Sequence, residues 1–136
     1  MAEKIKLELV TPYGSVFSGE VEEVTAQGSE GEFGVLPGHA HLMTTLKVGM
    51  LTAKAEGRLD HYFVSWGYAE AGPEGMTVMA DSAEAAKDID LERAREAKRR
   101  AEERLRKEEQ IDAARAQVAL ERAIMRMQVA EKHQAK

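Results

Sequence analysis

The stretch DIDLERA, residues 88–94, packs three acids, one arginine and three apolar side chains into about two turns of potential helix. Asp90 sits where a helix N-cap belongs: its carboxylate can accept from the first free backbone N–H groups, and its charge complements the positive end of the helix dipole. From Leu91 onward the apolar positions follow helical spacing. Leu91, Ala94, Ala101 and Leu105 form one stripe with Ala97 beside it, and Ala116, Leu120, Ala123, Ile124 and Met127 form another. Ile89-Asp90-x-x-Arg93-Ala94 recurs as Ile111-Asp112-x-x-Arg115-Ala116, so each Asp is expected to start a helix, with the turn at Lys107 to Gln110. No Gly or Pro enforces that turn, so a single continuous helix costs little. Both stripes are alanine-heavy. Small side chains let two helices approach closely but bury little apolar area, at about 25 cal/mol per Å², so the hairpin is expected to be weakly held and movable.

Upstream the grammar differs. All 11 glycines, all 3 prolines and every Phe, Tyr and Trp lie at or before Gly75. Short apolar runs alternate with turn signals: IKLELV, VEEVTA, GVLP, VGMLTA, HYFVSWGYAEA and MTVMA are punctuated by Gly14, Gly19, Pro37-Gly38, Gly49, Gly57 and Gly72 to Gly75. This spacing predicts a small antiparallel sandwich or barrel. Trp66 and Tyr68 read most simply as its core, and the methionines as core or adaptable interface. The change of grammar falls near residues 82–89, giving an all-β unit over 1–84 and an α-helical antiparallel hairpin over 85–136.

Charge divides in the same place. Residues 1–82 carry 5 Lys+Arg against 12 Asp+Glu, a balance of −7, and residues 83–136 carry 14 against 12, a balance of +2. An acidic first half argues against nucleic acid as a partner, because phosphate neutralisation needs a basic patch. With no cysteine there is no disulfide framework, thiolate metal site or cysteine nucleophile. The start, MAEKIKLELV, lacks the basic segment and apolar run of a signal peptide, and no window approaches the roughly 18 apolar residues a membrane span requires. The chain is expected to be soluble unless it docks onto a membrane assembly.

LELVTPYGSVFSGEVEEVTAQGSEGEFGVLPGHAHLMTTLKVGML (residues 7–51), GYAEAGPEGMTVMADSAEAAKDID (67–90) and IDLERAREAKRRAEERL (89–105) together resemble the epsilon subunit of bacterial F-type ATP synthase over nearly the whole length. Gly34-Val35-Leu36-Pro37-Gly38-His39, followed by the Ala83-Glu84 to Asp90 junction, makes the resemblance more specific than any lone motif. It implies a β-sandwich of about ten strands followed by a helix hairpin, in the central stalk of a proton-driven rotary motor. The sandwich would dock on the gamma subunit and the c-ring. The helices would either fold down or extend toward the alpha and beta subunits and inhibit ATP hydrolysis. The implied place is peripheral, at the cytoplasmic face of the bacterial inner membrane and attached only through the complex, while the isolated chain is expected to be a monomer.

Some members of that family bind ATP in the folded-down state through an I/L-D-x-x-R-A motif. The resemblance carries this to Ile89, Asp90, Arg93 and Ala94, and adds Glu84, Arg100, Arg122 and Arg126 as candidate ATP-binding residues. ATP is then a regulatory ligand, with magnesium undetermined. Arginine suits that role because its planar fork grips phosphate oxygens bidentately without losing its charge. Arg93 and Arg100 share a helix face, as do Arg122 and Arg126. The bland alternative is that all four are solvated or pair with Glu92, Glu96, Glu102 and Glu121. Asp90 reads as a cap whose carboxylate orients an adenosine hydroxyl or amine, since an acid beside triphosphate is repelled.

His39 and His41 have no acid cluster beside them and read as loop or interface residues; no metal is expected. The glycines of GSEGEFG do not form G-x-G-x-x-G, and neither a G-x-x-x-x-G-K-[ST] nor a G-x-S-x-G pattern occurs. No catalytic constellation can be assembled, so no catalysis by this chain is expected. Two other readings fit parts of the sequence: a freestanding nucleotide sensor, and a scaffold that self-associates through its Ala-rich helices.

Overall fold

The computed structural model describes residues 3–107 and 113–134. The chain divides into two compact units, Met1–Ala85 and Ala86–Lys136.

Among the described residues the first unit contains eight strands: β1 (Ile5–Thr11), β2 (Gly14–Val21), β3 (Glu23–Gly28), β4 (Gly31–Val35), β5 (Leu42–Leu46), β6 (Gly49–Ala55), β7 (Arg58–Ala71) and β8 (Gly75–Ala85). The main path of the sheet is β2-β1-β8-β7-β5-β3-β4, and β6 pairs with both β3 and β7. All pairings are antiparallel except that of β1 with β8, which is parallel. Alternation does the folding work. Ile5, Leu7 and Leu9 point inward from β1 to meet Val21, Val24, Val35, Leu51, Val64 and Val78 in one core. The sheet thus closes over its own apolar face as a sandwich. Eight strands stand close to the expected ten because β7, with 14 residues, and β8, with 11, each run the length of two ordinary strands.

Two backbone features shape β7. Its hairpin with β6 closes through Glu56 and Gly57, at φ 53° and 75°, the positive pair that a two-residue type I′ turn demands. Further along, β7 exchanges partners: Gly49 of β6 faces Val64, and Leu46 of β5 faces Gly67. At this exchange Trp66 adopts φ 52° and Gly67 φ 144°, and a Cβ on Gly67 would stand 2.0 Å from the Met79 carbonyl oxygen. Only glycine fits there.

The same kink corrects the sequence expectation for the neighbouring aromatics. Trp66 is 38% exposed and Tyr68 41%, so neither is core. Period-2 alternation cannot say which face of a strand is inward, and in the second half of β7 the inward set is Ala69 and Ala71. Tyr68 stands opposite Met79 on β8, and its hydroxyl donates to Met79 Sδ at 2.9 Å. Of the methionines, Met76 is buried, whereas Met43 and Met79 are exposed.

The second unit opens with a 3-10 turn at Ala86–Asp88, continues as α1 (Leu91–Arg106) and ends with α2 (Ala113–Gln134). Because α2 packs on α1 and also on the 3-10 turn that precedes α1, it runs back along its partner as an antiparallel hairpin. Among the described residues the buried side chains of α1 are Ala94 and Ala101, and those of α2 are Ala116, Ala123, Val129 and Ala130. Leu91, Leu105, Leu120, Ile124 and Met127 are only half-buried. Asp112 and the Glu108 to Gln110 part of the expected turn lie outside the described residues.

Candidate functional site

Ile89 enters the site half-buried, its N–H donating to the Ala86 carbonyl at 3.3 Å and so closing the 3-10 turn. Asp90 follows in an extended conformation, φ −81° and ψ 103°, as the N-cap of α1. The Arg93 amide donates to Asp90 Oδ1 at 3.1 Å, and the Ala94 amide donates to the Asp90 carbonyl at 3.0 Å. Side chain and backbone of one residue thus start the helix. Ala94 is buried, and Arg93, one residue before it, is exposed. The motif I-D-x-x-R-A therefore has a local meaning: a turn closure, a cap, a cation one turn in, and a small residue that lets the helices meet.

Arg100 lies two turns beyond Arg93 on the same exposed face. Its Nε donates to Glu96 Oε1 at 3.3 Å. That same oxygen accepts from Arg99 Nη2 at 2.8 Å, Glu96 Oε2 accepts from Arg99 Nε at 3.1 Å, and Arg99 Nη1 reaches Glu103 Oε2 at 3.2 Å. Arg95 pairs with Glu92 one turn back. The hydrogen bond from Arg99 holds the Glu96 carboxyl below the usual carboxylate range; desolvation opposes it, and the charges of Arg99 and Arg100 add to the lowering. Arg99 is raised in turn by Glu96. Among the described residues, no ion pair engages the Arg93 guanidinium. Both forms of the bland reading are therefore seen, pairing for Arg100, whose partner is Glu96, and solvation for Arg93, which is exposed.

Arg122 and Arg126 stand one turn apart on α2, both half-buried beside the Ala116 and Ala123 seam. Glu84 belongs to the sandwich, on β8 opposite Phe63. The structure brings Ile89, Asp90, Arg93 and Ala94 together in one turn. The network that sets the availability of Arg100 was only partly visible beforehand: i,i+3 and i,i+4 spacing offered Glu96 as a partner, but could not rank Arg99 above Arg100 for its carboxylate.

His39 and His41 serve the loop. The His39 N–H donates to the Leu36 carbonyl at 3.1 Å, and the His41 ring lies 3.1 Å from where a Cβ on Gly72 would stand.

Comparison with known proteins covers both units. The family model described as "ATP synthase, Delta/Epsilon chain, beta-sandwich domain" matches residues 4–86, and "ATP synthase, Delta/Epsilon chain, long alpha-helix domain" matches residues 87–131. The chain is similar to the ATP synthase epsilon chain of Geotalea daltonii, with 52% identity over 97% of each chain. It is also 52% identical to the protein of that name from Nitratidesulfovibrio vulgaris, over 95% of this chain and 97% of the relative. Among solved structures, a chain of the Euglena gracilis mitochondrial ATP synthase, in an assembly described as OSCP/F1/c-ring, matches 87% of this chain and 76% of its own length, with a TM-score of 0.77 and 26% identity. Sandwich, hairpin and their order along the chain all coincide with these relatives, and the chain belongs to the delta/epsilon chain family of ATP synthase.

Proposed function

We propose that the chain is a central-stalk subunit of a proton-translocating F-type ATP synthase, which couples rotation to ATP synthesis and restrains ATP hydrolysis through its helical unit. The observation that carries this reading is the unbroken family match through both units, residues 4–131. The sandwich is the part that docks, on the gamma subunit and the c-ring. Its exposed Met43, Tyr68 and Met79 support this, since large apolar side chains gathered on one outer sheet face mark interaction surfaces. The chain acts without catalysing. It sits peripherally at the cytoplasmic face of the inner membrane and is held there by the complex; no helix among the described residues is long and apolar enough to cross a membrane.

The helical unit is the regulatory part. Among the described residues the buried side chains of its two helices are alanines apart from Val129, so parting the helices from one another costs little apolar burial. In the extended state the basic side chains Arg115, Arg122 and Arg126 meet acidic surface on the alpha and beta subunits. ATP acts as a latch on the folded state, through Glu84, Ile89, Asp90, Arg93, Ala94, Arg100, Arg122 and Arg126. Arg93 supports that role, being exposed and, among the described residues, without an ion pair at the positive end of α1, where an anion is favoured. Asp90 is committed to the cap and faces the adenosine side. Linkage sets the size of the effect: at ATP ten times its dissociation constant, the folded state gains about 1.4 kcal/mol, roughly a tenfold change in population.

Reconstitution tests the rotor role. The protein is expected to co-purify with gamma, and charge reversal at Arg115, Arg122 and Arg126 to relieve inhibition of hydrolysis. Failure to bind gamma would leave a freestanding sensor, and full inhibition after charge reversal would reject the electrostatic contact.

A further inference from the structure

Four charged side chains on α1 form one chain of contacts in the order Arg100, Glu96, Arg99 and Glu103. Glu96 lies three residues after Arg93 and four before Arg100, so it stands on the stripe between the two cations of the candidate nucleotide site. A carboxylate in that position opposes a triphosphate in two ways: it occupies Arg100, and it puts a negative charge beside the phosphates. The geometry also shows what limits it. Arg99 takes both oxygens, at 2.8 and 3.1 Å, while Arg100 has one contact at 3.3 Å.

We propose that Glu96 is a built-in competitor for the nucleotide phosphates at Arg93 and Arg100, and that Arg99 sets the strength of that competition by drawing the carboxylate away from Arg100. The inference rests on the nucleotide site proposed above and concerns its affinity. All four side chains are substantially exposed, so the competition is worth what exposed ion pairs are worth, and its removal changes affinity by about twofold to fivefold.

The test is a double-mutant cycle on the full chain, with ATP dissociation constants measured by titration calorimetry at low salt and helix content checked by circular dichroism. Glu96→Gln is expected to tighten binding by about twofold to fivefold, and high salt to shrink the gain. Arg99→Gln is expected to weaken binding in the wild-type background and to lose most of that effect in the Glu96→Gln background, because its action runs through Glu96. An equal effect of Arg99→Gln in both backgrounds would show that Arg99 acts on the nucleotide directly and would overturn its positioning role. Wild-type binding with an unchanged constant in Glu96→Gln would overturn the competition while leaving the nucleotide site in place. Absence of binding to both proteins at millimolar ATP would overturn the site and the competition together.

Discussion

Arg93 donates its amide to the carboxylate of Asp90 while its own guanidinium engages no ion pair among the described residues. Two residues of one motif thus split the work: the acid is spent on starting the helix, and the cation is left available at the helix's positive end.

Replacing Asp90 tests that division. Asp90→Ala removes the capping oxygen and is expected to cost about 1 kcal/mol of helix stability, whereas Asp90→Asn keeps an acceptor and stays within a few tenths. Thermal melts of the two variants without nucleotide measure the cap alone. Only a further loss of ATP binding in Asp90→Asn, at unchanged helix content, would assign the carboxylate a contact with the ligand.

Gly67 is expected to be the least replaceable residue of the sandwich. Alanine there meets the Met79 carbonyl at 2.0 Å and must hold φ 144°, so Gly67→Ala should lose about 3–5 kcal/mol in denaturant unfolding. Gly14, also at positive φ but with open space around it, should cost less when changed in the same way.

Burial raises the Tyr62 phenol above its ordinary range, and the Asp60 charge adds to this against an opposing effect of Arg58. The ring lies in the core, edge-on to Phe17 at 5.9 Å. A group whose folded value is raised contributes stability that is fully present below its unfolded value and lost as pH rises toward the folded one. The sandwich should therefore weaken above about pH 10, and Tyr62→Phe should flatten that part of the profile. Urea midpoints taken on either side of that pH decide it.

Glu96 carries the opposite sign. Its folded value is lowered, chiefly by the Arg99 hydrogen bond, so its contribution is present above the ordinary carboxylate range and lost as pH falls through the lowered value. Helicity of α1 should decline between about pH 5 and pH 2, and Glu96→Gln should reduce that decline. The pair is exposed, so the effect should also fade in high salt.

Much of this architecture was legible in the residues. Alternation in IKLELV placed Ile5, Leu7 and Leu9 inward, and the alanine spacing of Ala94, Ala101, Ala116 and Ala123 gave the seam of the hairpin, because both patterns follow directly from the strand and helix repeats. Glu56-Gly57 could be read as a turn. Trp66 and Tyr68 could not be placed, since their exposure follows from a partner exchange along β7 that no local pattern encodes. The parallel pairing of β1 with β8 joins residues about 70 apart and is equally invisible to local spacing. At the site, spacing supplied candidate cations, but which of them were occupied depended on side-chain directions.

Hydrogen–deuterium exchange of the full chain, with and without millimolar ATP, bears most directly on the claim that a lightly fastened helical unit is held by nucleotide. Amides of α1 and α2 are expected to exchange well before those of β1, β7 and β8, and to slow by about tenfold when ATP is ten times its dissociation constant. Helices as protected as the central strands, with exchange unaltered by ATP, would contradict it.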